Sequence, residues 1–185
     1  AQWTANIYKV TLNNQGATSA GTTEVYYQFK TTKTVNGVTC YYYTDKALSN
    51  CLSNGYTIVK PSRTGHTFLG YYTLTNGGGT NYINADGIFV NNIYQSVGDR
   101  TLYASWSANT YSITLNNQGA TSAGTTTIYE TYGSKFSLTR GGSAMSTSAN
   151  AITKPTRSYT VTYHYNGSGQ SNTTATSTYT FGGYY

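Results

Sequence analysis

The chain has 185 residues, of which only 9% are charged and 15% aromatic, with 21 Tyr and a formal net charge of +6. Disordered chains are poor in aromatic and β-branched residues, so this richness in Tyr and Thr favours a thin-cored β protein over a disordered segment. No apolar run reaches membrane-spanning length and no charged-then-apolar leader is present, which decides little about anchoring.

In chain order, "IYKVTL" from Ile7 alternates as a short strand and "NNQG" turns it. The segment Lys46 to Ser53 has the makings of a short helix, and Pro61 ends it and fixes entry into the next strand. "HTFLGYY" from His66 leads into "TNGGGTN", read as a hairpin or Ω-type turn, and "ADG" marks a further turn. "TLYASW" from Thr101, "TYSITL" from Thr110 and "YTVTYHY" from Tyr159 complete the strands, with a second short helix expected over Ala144 to Ala151 before Pro155.

The order repeats itself. "LNNQGATSAGTT" stands at 12–23 and again at 115–126, and over 24 residues from Ala1 and from Ala104 the two copies share 18 identical positions. "IVKPSR" from Ile58 recurs as "ITKPTR" from Ile152, where the offset has fallen from 103 to 94, so the first copy carries nine extra residues between Tyr26 and Ile58. "HTFLGYY" recurs as "YTFGGYY" from Tyr179, so the second copy carries its own insertion after Arg157, near 158–177. The division expected is a tail of a preceding copy (1–6), a first complete repeat (7–106) and an incomplete second repeat (107–185), a window on a longer tandem array.

Candidate chemistry is sparse. Cys40 and Cys51 have no His or Cys partners at metal-ligand spacing, so no metal or other cofactor is expected. A disulfide closing a short loop, or else two free thiols, accounts for the pair. A bridge would contribute about 3 kcal/mol and place the protein outside the cytoplasm. Of the carboxylates, Glu24 becomes Thr127 in the second copy and Glu130 matches Tyr27, so no pair for acid–base hydrolysis survives the duplication. No G-x-S-x-G elbow occurs and "TNGGGTN" lacks the Lys-Ser/Thr ending of a phosphate loop, so no catalytic residue is expected; His66 reads as a strand-edge residue. The basic residues are dispersed, among them Lys9, Lys60, Arg100, Lys135 and Arg157, without a nucleic-acid motif. They suit ordinary solubility or weak attraction to anionic wall polymers. The tyrosines carry the binding expectation: Tyr41, Tyr42 and Tyr43 fall in the non-repeated loop, where exposed rings could stack on sugars, although alternate Tyr in a strand would simply pack on the core.

Four elements, "YKVTLNNQG" from Tyr8, "KPSRTGHTFLGYYT" from Lys60, "GTNYINADG" from Gly79 and "RTLYASW" from Arg100, stand in the order of the internalin-type B-repeat family, which the chain resembles over nearly the whole first copy. The resemblance implies a β-rich α+β architecture: small β-grasp-like repeats in tandem, each with at most one short helix, on a bacterial cell surface. Trp3, Phe68, Tyr71, Tyr72, Leu102, Tyr103 and Trp106 then read as the core of the repeat. The function implied is a stalk or spacer, not an enzyme. The partners expected are adjacent repeats, with glycans or host surface proteins for an adhesin and self-association for a fibre. The longer loop with its Cys pair and the inserted segment of the second copy depart from the family pattern.

Overall fold

The computed structural model describes residues 1–145, 151–164, 167, 169 and 171–185, and the described chain is β-rich, with short 3-10 turns as its only helical pieces. It forms two compact units, Ala1–Asn109 (unit 1) and Thr110–Tyr185 (unit 2).

Unit 1 is built on a five-stranded mixed sheet. Its strands are β1 (Ile7–Asn13), β2 (Glu24–Gln28), β5 (His66–Tyr72), β6 (Asn81–Ile83) and β7 (Arg100–Ala108), in the order β2-β1-β7-β5-β6. β1 pairs with β2 antiparallel and with β7 parallel, Val10 opposite Arg100 through Asn13 opposite Tyr103. β7 therefore lies at the centre, with β5 antiparallel on its other side. Alternation sends Val10, Leu12, Val25, Tyr27, Leu102 and Ala104 to one face, where they are buried with Tyr71, Ile83 and Ile93. The "TNGGGTN" segment is the β5–β6 turn, containing a 3-10 turn at Thr75–Gly77. Gly70 sits at a bulge in β5 with φ near 123°, where a Cβ would lie 2.3 Å from the Ile83 carbonyl oxygen.

A separate hairpin, β3 (Lys33–Val35) and β4 (Val38–Cys40), turns on Asn36-Gly37. It leads into the disulfide Cys40–Cys51. Lys46 to Ser53 is not a helix. The Asp45 carboxylate accepts the backbone N–H groups of Ser49 and Asn50, and Leu48 stands at φ 56° to bury its side chain against Cys40 and Tyr43. A side chain that takes up N–H groups this way competes with helical bonding.

Unit 2 begins the same way and then differs. β8 (Thr110–Thr114) pairs with β9 (Thr127–Thr131), which pairs with β10 (Phe136–Ser137). The insertion forms a two-stranded hairpin, β11 (Arg157–Tyr163) with β12 (Thr173–Tyr179), in register from Arg157 opposite Tyr179 to Tyr163 opposite Thr173. Most of the second expected helix, and Asn166 and Ser168 of the glycosylation-type sequon Asn166-Gly167-Ser168, lie outside the described residues. Ala144 itself bridges to Ser137 as extended chain.

The repeated stretch keeps much of its conformation in both copies, although Gly21 stands at φ 61° and Gly124 has no positive φ. Gln15 and Gln118 both have φ 49°, and their N–H groups are held by the Asn13 and Asn116 side chains. Ser19 bridges Ser62 as Ser122 bridges Thr156. Thr22 exchanges bonds with Val59 as Thr125 does with Thr153. Close packing explains the glycine in the stretch: a Cβ on Gly21 would lie 2.4 Å from the Val59 carbonyl oxygen, and one on Gly124 would lie 2.1 Å from that of Thr153.

Candidate functional site

The expected binding residues Tyr41, Tyr42 and Tyr43 do not form an exposed recognition loop. Tyr42 and Tyr43 are each 2% exposed. The Tyr42 ring stacks on Phe89 at 3.9 Å between centroids and meets Tyr27 and Tyr94 edge-on. Its hydroxyl is buried without a hydrogen-bond partner, and burial pushes its pKa well above the ordinary tyrosine range. Tyr43 exchanges backbone hydrogen bonds with Tyr26 and donates its hydroxyl to the Cys40 carbonyl. Alternation sends the two rings opposite ways: Tyr42 enters the main core, Tyr43 packs with Cys40 and Leu48 in a second small cluster, and Tyr41 is left half-buried, edge-on to Tyr94 at 5.2 Å. Tyr41 shares a shallow cavity of about 260 Å³ with Tyr56, Phe89, Asn92 and Tyr94.

Hydrogen bonding also places the nine extra residues. Tyr26 pairs with Tyr43 as Tyr129 pairs with Ser137, and the Tyr42 carbonyl accepts from Leu52 as that of Phe136 accepts from Met145. The offset is therefore already 94 at Tyr42 and Phe136, and the additional residues are the β3–β4 hairpin. The bridge from Tyr43 to Cys51 has a counterpart from Ser137 to Ala144, one residue shorter, and Tyr42 has an aromatic counterpart in Phe136. An aromatic at both positions was the signal that could have exposed Tyr42 as part of the repeat.

The expected core residues divide. Leu102 and Tyr71 are fully buried and Phe68 nearly so. Trp106 is half-buried against Phe68, with its indole N–H donated to the Asn14 carbonyl at 3.1 Å. Tyr72 and Tyr103 are half-buried and face each other across β5 and β7. Trp3 is not core: it is 91% exposed, because the segment 1–6 joins no strand, whereas its counterpart Trp106 lies on β7.

The polar cluster of unit 1 is an ion pair on the sheet surface. Lys9 Nζ lies 2.9 Å from Glu24 Oε1, and the Tyr26 hydroxyl donates to Glu24 Oε2 at 2.8 Å. The Lys9 and Tyr26 bonds hold the Glu24 carboxyl below its usual range, and the same bond raises Lys9. Among the described residues, no group of three His, Cys, Asp or Glu side chains could hold a metal ion. His66 opens β5, its Nδ1 at 2.9 Å from the Thr64 carbonyl.

Unit 2 exposes what unit 1 hides. The β11–β12 hairpin carries Tyr159, Tyr163 and Tyr179 with rings largely in solvent. Tyr159 packs on Tyr179 at 5.2 Å, and the Arg157 guanidinium lies over the Tyr179 ring at 5.3 Å. Beside it is a cleft of about 240 Å³ lined by Asn117, Pro155, Arg157, Tyr179, Phe181 and Tyr184, among others.

Compared with family models, curated proteins and solved structures, the chain matches none. The disulfide belongs to an oxidising, extracellular environment, and among the described residues no helix is long and apolar enough to cross a membrane.

Proposed function

We propose that the chain is a tandem-repeat stalk or spacer segment of a bacterial extracellular surface protein, with β-grasp-like repeats of the internalin B-repeat type and a mechanical, non-enzymatic role. One observation carries this reading: the stretch at 12–23 and 115–126 makes the same bridge and the same Thr–backbone exchange to the KP segment in both units. Duplication has kept a structural element, while the side chains that would carry chemistry, Lys9 and Glu24, are replaced by Ser112 and Thr127. The disulfide and the low charge suit exposure outside the cell.

A glycan and host-protein binding panel with the oxidised chain tests the proposal, and the stalk reading expects no saturable ligand. The second reading is an adhesin module, favoured by the exposed tyrosines of the β11–β12 hairpin, since rings free of core packing can stack on sugar faces. Saturable binding that disappears when Tyr159, Tyr163 and Tyr179 are changed to Ser would replace the first reading with the second.

A further inference from the structure

β1 pairs with β7 only as far as Asn13 opposite Tyr103, and the chain then turns away at Gln15, whose φ is 49°. β7 runs on beside β5, with Ala104 opposite Tyr71 and Trp106 opposite Phe68. Beyond the point where the two strands part is a cavity of about 170 Å³ lined by Gln15, Arg63, Asn76, Ala104, Ser105 and Trp106. All six residues belong to unit 1.

The walls carry hydrogen-bond donors that the protein does not use. Arg63 is half-buried, and among the described residues its side chain makes no hydrogen bond, ion pair or ring contact. Ser105 is only 6% exposed, and its hydroxyl likewise has no partner among the described residues. A Cβ on Gly77 would lie 2.9 Å from Ser105 Oγ, so the glycine of the 3-10 turn keeps the space beside that hydroxyl clear. Gln15 Nε2 donates to Asn13 Oδ1, which fixes the amide and leaves its second N–H to spare. No carboxylate lines the cavity, so nothing within it offsets the permanent charge of Arg63. Buried polar groups are normally paired, and one left unpaired costs stability. The duplication also keeps Gln15 and Arg63, as Gln118 and Arg157, although it replaces Lys9 and Glu24.

We propose that this cavity binds a phosphate group, with the Arg63 guanidinium pairing two of its oxygens and the Ser105 hydroxyl and the Gln15 and Asn76 amides donating to the others. A guanidinium fork matches two oxygens of an oxyanion. A planar carboxylate is used up by that fork, whereas a tetrahedral phosphate keeps oxygens for donors that approach from β7 and from two separate turns. The Trp106 indole N–H is already given to the Asn14 carbonyl, so its ring serves as a wall and not as a donor. At about 30 Å³ per water, the volume admits one such group with a few waters, as free phosphate or as one link of a phosphodiester chain. The site goes beyond the stalk reading and does not depend on it, since a spacer can hold a phosphate without recognising a glycan or a host protein.

The test is titration of the intact 185-residue chain with inorganic phosphate, against chloride at matched ionic strength, followed by NMR of backbone and side-chain N–H groups. Saturable shifts confined to Gln15, Arg63, Asn76, Ser105 and Trp106 are expected, with a dissociation constant on the order of 1–10 mM. Arg63→Gln should weaken binding at least about tenfold, and Arg63→Lys, which keeps the charge but loses the fork, should still weaken it severalfold. Ser105→Ala separates the site from a structural role: it removes an unpartnered hydroxyl, so it should weaken binding while leaving the melting temperature unchanged or higher. An oligomer of glycerol phosphate distinguishes the two sources. Shifts at the same residues at lower phosphate concentration assign a phosphodiester chain, and a response to inorganic phosphate alone assigns the free ion. No saturable shift up to ~100 mM, shifts spread over Lys9, Lys30 and Lys33 as well, or unchanged binding by Arg63→Gln would overturn the proposal.

Discussion

Tyr42 and Phe136 occupy equivalent places in their units, yet Tyr42 is 2% exposed and Phe136 is 42% exposed. The difference lies in what surrounds them. Unit 1 supplies Phe89, Ile93 and Tyr94 from the segment between β6 and β7, and closes its sheet with β7. In unit 2 Phe136 stands on the two-residue β10 at the edge of the β10-β9-β8 sheet, so an aromatic that is core in one setting is surface in the other. The same contrast separates Val10 from Ile113 and Tyr71 from Tyr184. Burial here is a property of the completed sheet, not of the repeated letters.

The sharpest way to break the comparison is to remove the two aromatics in turn. Tyr42→Ser should destabilise unit 1 by about 3–5 kcal/mol, whereas Phe136→Ser should cost unit 2 about 1 kcal/mol or less. Denaturant unfolding followed by hydrogen exchange in each unit separates the two. Next in size is reduction of Cys40–Cys51, expected to cost about 3 kcal/mol and to accelerate exchange within Ala1–Asn109 while leaving unit 2 unchanged. A control that should erase the contrast is Gly21→Ala against Gly124→Ala. Each Cβ meets a carbonyl at under 3 Å, so each variant should lose about 1–3 kcal/mol in its own unit, with the larger fall in melting temperature at Gly21, whose φ of 61° also disfavours Ala.

The smallest effect expected is electrostatic. The folded pKa of Glu24 is depressed, so its contribution is present above its ordinary value near 4.5 and is lost as pH falls through the folded value. Lys9 is raised, so its contribution is present below its ordinary value near 10.5 and is lost as pH rises through the folded value. Lys9→Ser with Glu24→Thr, which copies unit 2, should flatten both shoulders of the pH–stability curve of unit 1. Because the pair is open to solvent, added salt should shrink the effect as well.

Much of this fold was legible in the residues. Alternation located β1, β7, β8 and β11, and the duplicated stretch announced a set of bonds found twice. The disulfide followed from two cysteines with no metal partners. What could not be read was depth. "YYY" looks the same whether its rings face solvent or Phe89, and the deciding neighbours Ile93 and Tyr94 come some fifty residues later. The expected helix over Lys46 to Ser53 failed for a local reason, because Asp45 captures the N–H groups that a helix would use. Trp3 and Trp106 are the same letter in the same local context, and only membership of a strand distinguishes their exposure.

The parallel pairing of β1 with β7 also determines how unit 1 meets a pulling force. Tension entering at Ile7 and leaving at Ala108 acts on opposite ends of two neighbouring strands. It drags one lengthwise past the other and loads the hydrogen bonds between Val10–Asn13 and Arg100–Tyr103 together, instead of peeling them one at a time. Should that clamp give way, the disulfide still withholds the ten residues between Cys40 and Cys51 from extension, shortening the released contour by roughly 35 Å.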